Sequence, residues 1–131
     1  MFYRCPHCGN IVCFMNKSGV PVICCGEPMQ EMAANTSDGA TEKHVPAVKV
    51  EICTVDGEVK KKKVKVEVGE LEHPMTDEHY IQWIFIQCKK SGQFKVLQPG
   101  DKPKAKFIIR KDEPVAVYEY CNIHGLWKKE L

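Results

Sequence analysis

Five of the eight cysteines in this 131-residue chain fall within the first 25 residues, at Cys5, Cys8, Cys13, Cys24 and Cys25. The segment around them is rich in glycine and shows little hydrophobic periodicity. It cannot build a core of its own, so a bound metal must organise it. The N-terminus, MFYRCPHCGN, lacks a basic region followed by an apolar one, so a cytoplasmic protein is expected. Disulfides are rare in that compartment, which favours metal ligation or redox chemistry. Cys5-x-x-Cys8 followed by Gly9 has the form of a metal knuckle, with two thiolates on one tight turn. Cys24-Cys25 supplies a second pair, and four thiolates suit tetrahedral zinc or iron. Adjacent ligands constrain the S–metal–S angle, so a distorted tetrahedron is expected. On spacing alone a closed structural zinc site fits as well. Cys13 reads as a small buried apolar residue and His7 as exposed.

Residues 31–41, EMAANTSDGAT, are small and polar and read as a linker. From Val45 onward the pattern is that of strands. Val48, Val50 and Ile52 alternate with Lys49 and Glu51; after Asp56-Gly57, Val64, Val66 and Val68 alternate with lysine and glutamate. That is a hairpin signature, its second arm the longer. Strand-like runs follow at 80–88, 93–97, 104–111 and 115–121, separated by KKSG, QPGDKP and DEP. Turn signals at such short intervals imply a small antiparallel sandwich with no amphipathic helix.

The net charge of +2 is too mild to indicate a nucleic-acid partner, and no apolar run is long enough for a membrane span. The run Lys60 to Lys63 reads as a solvated strand end that discourages edge pairing. Cys53 and Cys88 read as buried thiols, and Trp83 and Trp127 as core or site-wall aromatics.

The remaining histidines lie at strand–loop junctions: His44 in TEKHVPAV, His73 and His79 in ELEHPMTDEHYIQW, and His124 in CNIHGLWK. The pair Cys121 and His124 could be half of a metal site, a thiol with its base, or two unrelated residues.

Together, CPHC…CC, EKHVP, HPMTDEHYIQWI and CNIHGLWK resemble desulfoferrodoxin, the two-iron class of superoxide reductase, across nearly the whole chain. The resemblance implies a mainly β protein. A small desulforedoxin-like domain (1–36) would precede a seven-stranded immunoglobulin-like catalytic sandwich (37–131), assembled as a homodimer. It implies a rubredoxin-like iron on Cys5, Cys8, Cys24 and Cys25. A second iron would sit in an equatorial square of His44, His73, His79 and His124, with Cys121 as the axial thiolate and His124 the natural Nδ1 ligand. The implied activity is reduction of superoxide to hydrogen peroxide without dioxygen, with electrons from an external donor, typically rubredoxin. Lys43 would steer the anion, and Glu42 would become a sixth ligand to the oxidised iron.

Four neutral imidazoles and one thiolate leave a ferrous centre with a formal charge of +1 and an open position, which favours a small anion. Two other readings stand beside this one: a non-enzymatic iron electron carrier, and a zinc-stapled binding module.

Overall fold

The valine–lysine alternation between residues 46 and 68 becomes a long antiparallel hairpin. Its arms are β6 (Pro46–Val55) and β7 (Glu58–Val68), the second one residue longer. Asp56 and Gly57 form its two-residue loop, both with positive φ (53° and 79°), as a hairpin turn matched to strand twist requires. The structure is a computed structural model describing residues 1–131, and it divides into two units, Met1–Ala33 and Ala34–Leu131.

The first unit holds five short strands: β1 (Phe2–Arg4), β2 (Ile11–Cys13), β3 (Ile23–Cys24), β4 (Glu27–Pro28) and β5 (Gln30–Glu31). They form one sheet in the order β2-β1-β5 and a separate β3-β4 ribbon. Its buried apolar side chains are Phe2, Met29 and the ligand candidate Cys5, too few for a core. Cys13 is exposed, contrary to the sequence expectation, because a unit this small has no interior to receive it. His7 is exposed as expected and pairs with Glu27 at 3.1 Å.

The second unit is a two-layer β structure preceded by one turn of helix, α1 (Thr41–His44). One sheet has the order β10-β7-β6, with β10 spanning Lys104–Ile109. The other has the order β12-β11-β8-β9, from β8 (Ile81–Cys88), β9 (Gly92–Val96), β11 (Pro114–Cys121) and β12 (Gly125–Glu130). Seven strands in two sheets agree with the sandwich expectation. Inward residues of β7, β8, β10 and β11 make the core, centred on Val64, Val66, Ile84, Ile86, Phe107 and Val117. No helix is long and apolar enough to cross a membrane.

The segment 31–41 is free of regular structure over residues 32–40, as a linker should be, with only Glu31 in β5 and Thr41 in α1. Several local expectations need correction. β7 is the central strand of its sheet, so Lys62 and Lys63 pair on both sides and protect no edge. The edge strands are β10 and β6, and on β6 Val50 and Ile52 are exposed despite their alternation. Periodicity specifies which residues share a face, but coverage of that face depends on the partner layer. Cys88 is buried as expected, whereas Cys53, on β6, is only half-buried. Trp83 lies outside the core, stacked on Tyr120 at 5.7 Å.

Candidate metal centres

In the first unit the CPHCG turn and the Cys24-Cys25 pair converge. The sulfurs of Cys5, Cys8, Cys24 and Cys25 all lie within 4.8 Å of one another, with Cys8 Sγ 3.6 Å from Cys24 Sγ. A tetrahedron with metal–sulfur bonds of about 2.3 Å has edges of about 3.7 Å. Backbone amides turn inward: Cys8 N–H points at Cys5 Sγ (3.5 Å) and Asn10 N–H at Cys8 Sγ (3.5 Å). Asn10, which sequence reasoning passed over, also aims its side-chain amide at Cys24 Sγ (3.7 Å). The sulfurs titrate unequally. The Cys8 amide lowers Cys5 to about 6, whereas hydrogen bonds with the Cys8 and Cys5 sulfurs push Cys25 up to about 12. Four thiols this close cannot all ionise unless a cation shares their charge, so the donor set fits a tetracysteine metal ion.

The second cluster is assembled by three segments: α1, the single loop joining β7 to β8, which carries both His73 and His79, and the turn between β11 and β12. His44 closes α1. Its turn packs so closely on the loop after β7 that a Cβ at Gly69 would lie 2.7 Å from the Glu42 carbonyl. His73 follows in that loop, its amide donating to Val68 O at 2.9 Å. His79 sits in the loop before β8, where Thr76 Oγ1 accepts its amide at 3.1 Å. Cys121 ends β11 facing the core, and the tight turn into β12 returns His124 beside it. Asn122, within that turn, ties the Cys121 and His79 loops together. Its Oδ1 accepts from Tyr80 N–H and its Nδ2 donates to Glu78 O, both at 2.9 Å.

The imidazoles form a closed ring in the order His44, His73, His79, His124. Neighbouring centroids are 4.6, 4.6, 5.0 and 4.8 Å apart, and His44 and His79 face each other across it at 6.4 Å. Neighbouring rings stand at 68° to 84° to each other, and the opposed pair at 30°. The four histidines thus stand together as a ring. His44 donates Nδ1–H to Ala40 O (2.8 Å) and His73 donates Nδ1–H to Pro74 O (2.7 Å). Those bonds select the tautomer and leave each Nε2 with a lone pair.

The two Nε2 atoms nevertheless face each other at 3.1 Å, and His124 Nδ1 lies 3.1 Å from His44 Nε2. Buried lone pairs in such contact repel unless a cation lies between them. The spacing is that of neighbouring nitrogens on one ion with bonds of roughly 2.1 Å. His79 Nε2 is buried with no partner at all, an orphan that a metal would satisfy. Burial lowers His44 and His79 and takes His73 to about 4, keeping the rings neutral as ligation requires.

Cys121 Sγ lies 3.8 Å from His124 Nδ1. Burial raises its thiol, and the amides of His124 (3.4 Å) and Ile123 act in the opposite direction. These amides are the sulfur contacts that the sequence alone could not supply. Trp127 is a site wall, as expected, stacked on His44.

Lys43 and Glu42 are both exposed on α1. Lys43 is near enough for its charge to disfavour protonation of His44 and His79. Glu42 lines a neighbouring cleft with Glu70 and Lys129, and its carboxylate is not among the converging ligand atoms. Glu119 was missed in the sequence. Two residues before Cys121 on the same strand face, it is fully buried with neither carboxylate oxygen paired. Its position in VAVYEYC, among residues of strand alternation, was the one available signal.

Residues 36–130 match the desulfoferrodoxin family and residues 1–32 match the desulfoferrodoxin N-terminal domain. A desulfoferrodoxin from Nitratidesulfovibrio vulgaris is 47% identical over 128 residues, covering 98% of this chain and 94% of that one. A superoxide reductase from Pyrococcus horikoshii is 35% identical over 79% of this chain and 97% of its own. The crystal structure of superoxide reductase from Treponema pallidum superposes with a TM-score of 0.74 at 32% identity, covering 99% of both chains. With both parts matched in order, and with two convergent donor sets that fit two metal ions, the chain belongs to the desulfoferrodoxin family.

Proposed function

We infer that this chain is a superoxide reductase whose chemistry is carried by the His4Cys cluster. The observation supporting this most directly is the ring of four imidazoles whose nitrogens converge beside a buried cysteine. His44, His73 and His79 through Nε2, His124 through Nδ1 and Cys121 through Sγ would hold one iron. Cys5, Cys8, Cys24 and Cys25 would hold a second. When bound in the histidine site, ferrous iron supplies the electron that, with two protons from water, takes superoxide to hydrogen peroxide.

The chain's own residues prepare that site. The Ala40 and Pro74 carbonyls orient two imidazoles, the His124 amide donates to the Cys121 sulfur, and Trp127 shields one face of His44. Lys43 draws the anion toward the opening. Glu42 is poised on a one-turn helix that must shift for its carboxylate to reach the site. The reading also includes a homodimer, an external donor such as rubredoxin, a cytoplasmic location, and a division of labour between residues 1–36 and 37–131.

Anaerobic mixing of the reduced protein with superoxide, following peroxide and dioxygen together, tests it. Peroxide without dioxygen is expected. Dioxygen in equal yield would mean dismutation, and an unreactive second iron would leave an electron carrier.

A further inference from the structure

Ahead of α1 the chain passes through Asn35, Thr36, Ser37, Asp38 and Gly39, all exposed and outside regular secondary structure. Polarity and composition make it a linker, yet it is fastened to the second unit. Asn35 N–H donates to Leu126 O at 3.0 Å. The Asn35 side chain brackets Lys128, with Nδ2 donating to its carbonyl (3.1 Å) and Oδ1 accepting its amide (2.8 Å). β12 is an edge strand, so this one asparagine satisfies outward backbone groups that otherwise face solvent. Asn35 has φ of 61°, a conformation asparagine tolerates better than most residues.

Beyond that anchor, the segment meets the metal ligands. Ser37 Oγ donates to the carbonyl of His124, which also accepts Trp127 Nε1–H at 3.1 Å. Gly39 lies flat against the cluster. A Cβ there would sit 3.1 Å from His44 Cε1, 3.2 Å from Trp127 Cζ2 and 3.3 Å from His124 Cβ. Two of those three neighbours are ligand candidates, and each would have to give by a few tenths of an ångström.

We propose that residues 35–39 are a positioning strap for the His4Cys centre. Asn35 anchors it to the open edge of β12, and Ser37 and Gly39 set where His124 and His44 stand. None of the three is a ligand. The backbone of His124 is the point of leverage, because its carbonyl takes the Ser37 hydroxyl while its amide donates to Cys121 Sγ. A displaced His124 therefore alters both an imidazole position and a hydrogen bond to the sulfur. This inference rests on the cluster being an iron centre, but not on its turnover.

The test uses the full-length, iron-loaded protein with Gly39→Ala, Ser37→Ala and Ser37→Thr. Gly39→Ala is expected to keep the tetracysteine spectrum and to shift the thiolate-to-iron absorption band and the ferric electron paramagnetic resonance of the second centre. Its rate with superoxide should fall by about threefold to tenfold, a modest loss for a displacement well under an ångström. Ser37→Ala should move the same band, and Ser37→Thr should restore it. Wild-type band and resonance in both Gly39→Ala and Ser37→Ala would overturn the proposal. Should Gly39→Ala fail to hold iron, Ser37→Ala decides by the same band, since it adds no bulk. A wild-type protein inert to superoxide would refute the enzymatic reading and leave this spectroscopic test standing.

Discussion

The indole of Trp127 stacks on the imidazole of His44, centroids 4.9 Å apart and planes at 26°, while its Nε1–H donates to the carbonyl of His124 at 3.1 Å. One side chain on β12 thus braces two ligand candidates that are 80 residues apart in sequence. Trp127→Phe keeps an aromatic face and loses the donor. The cost is expected at about 1–2 kcal/mol, because the carbonyl keeps Ser37 as a second donor. A lowered urea midpoint with unchanged slope checks this.

Cys121→Ser should abolish the thiolate-to-iron absorption of the second centre and leave the tetracysteine spectrum intact. Absorption spectra of the two proteins at equal iron content check it. Loss of both spectra would contradict the division into two independent donor sets.

Lys43→Ala should retain both irons, slow the bimolecular reaction with superoxide by roughly threefold to tenfold at low salt, and flatten its dependence on ionic strength. Pulse-generated superoxide at two or three salt concentrations measures this. Identical kinetics in the two proteins would remove the steering role.

Glu119 is buried without a partner, and desolvation raises its pKa well above the ordinary carboxylate range. The unfolded chain ionises this residue at about 4.3 and the folded protein only at higher pH. Between those values the folded state holds the extra proton. The stability contribution is thus complete below the unfolded pKa and is lost as pH rises through the folded one. Glu119→Gln should gain stability relative to the wild type with rising pH, by up to about 1.4 kcal/mol per unit within that window. Urea denaturation of both proteins between pH 5 and 9 reads the difference, and a pH-independent gap would count against it.

Removing the tetracysteine metal should unfold the first unit and spare the second. Phe2 and Met29 are too little apolar burial for Met1–Ala33 to fold alone, whereas the sandwich has a core of its own. Hydrogen exchange on chelated protein should show rapid exchange in residues 1–33 and continued protection in β7, β8 and β11.

Much of this was legible in the chain because it depends on local order. Alternating valines marked the hairpin, turn residues bounded the strands, and the short Cys121–His124 spacing marked the one ligand pair that a single tight turn brings together. The ligand list followed from motifs read together. Harder to read were Asn122, Asn35 and Gly39, polar or small residues in loops whose importance lies in which backbone groups they touch. Glu119 was hidden for the opposite reason, since a glutamate in an alternating run ordinarily faces solvent.

By itself, then, the sequence determined the strand class of the larger unit, through periodicity and turn spacing, and the two donor sets through the resemblance that its motifs carry when read together. Tertiary structure alone decided how far apart the imidazoles stand, that carbonyls of Ala40 and Pro74 orient two of them, and that a polar segment ahead of α1 packs against His44 and His124. Each of these depends on where loops far apart in sequence come to rest, which is set by packing of the two sheets and by pairing of otherwise unsatisfied backbone groups.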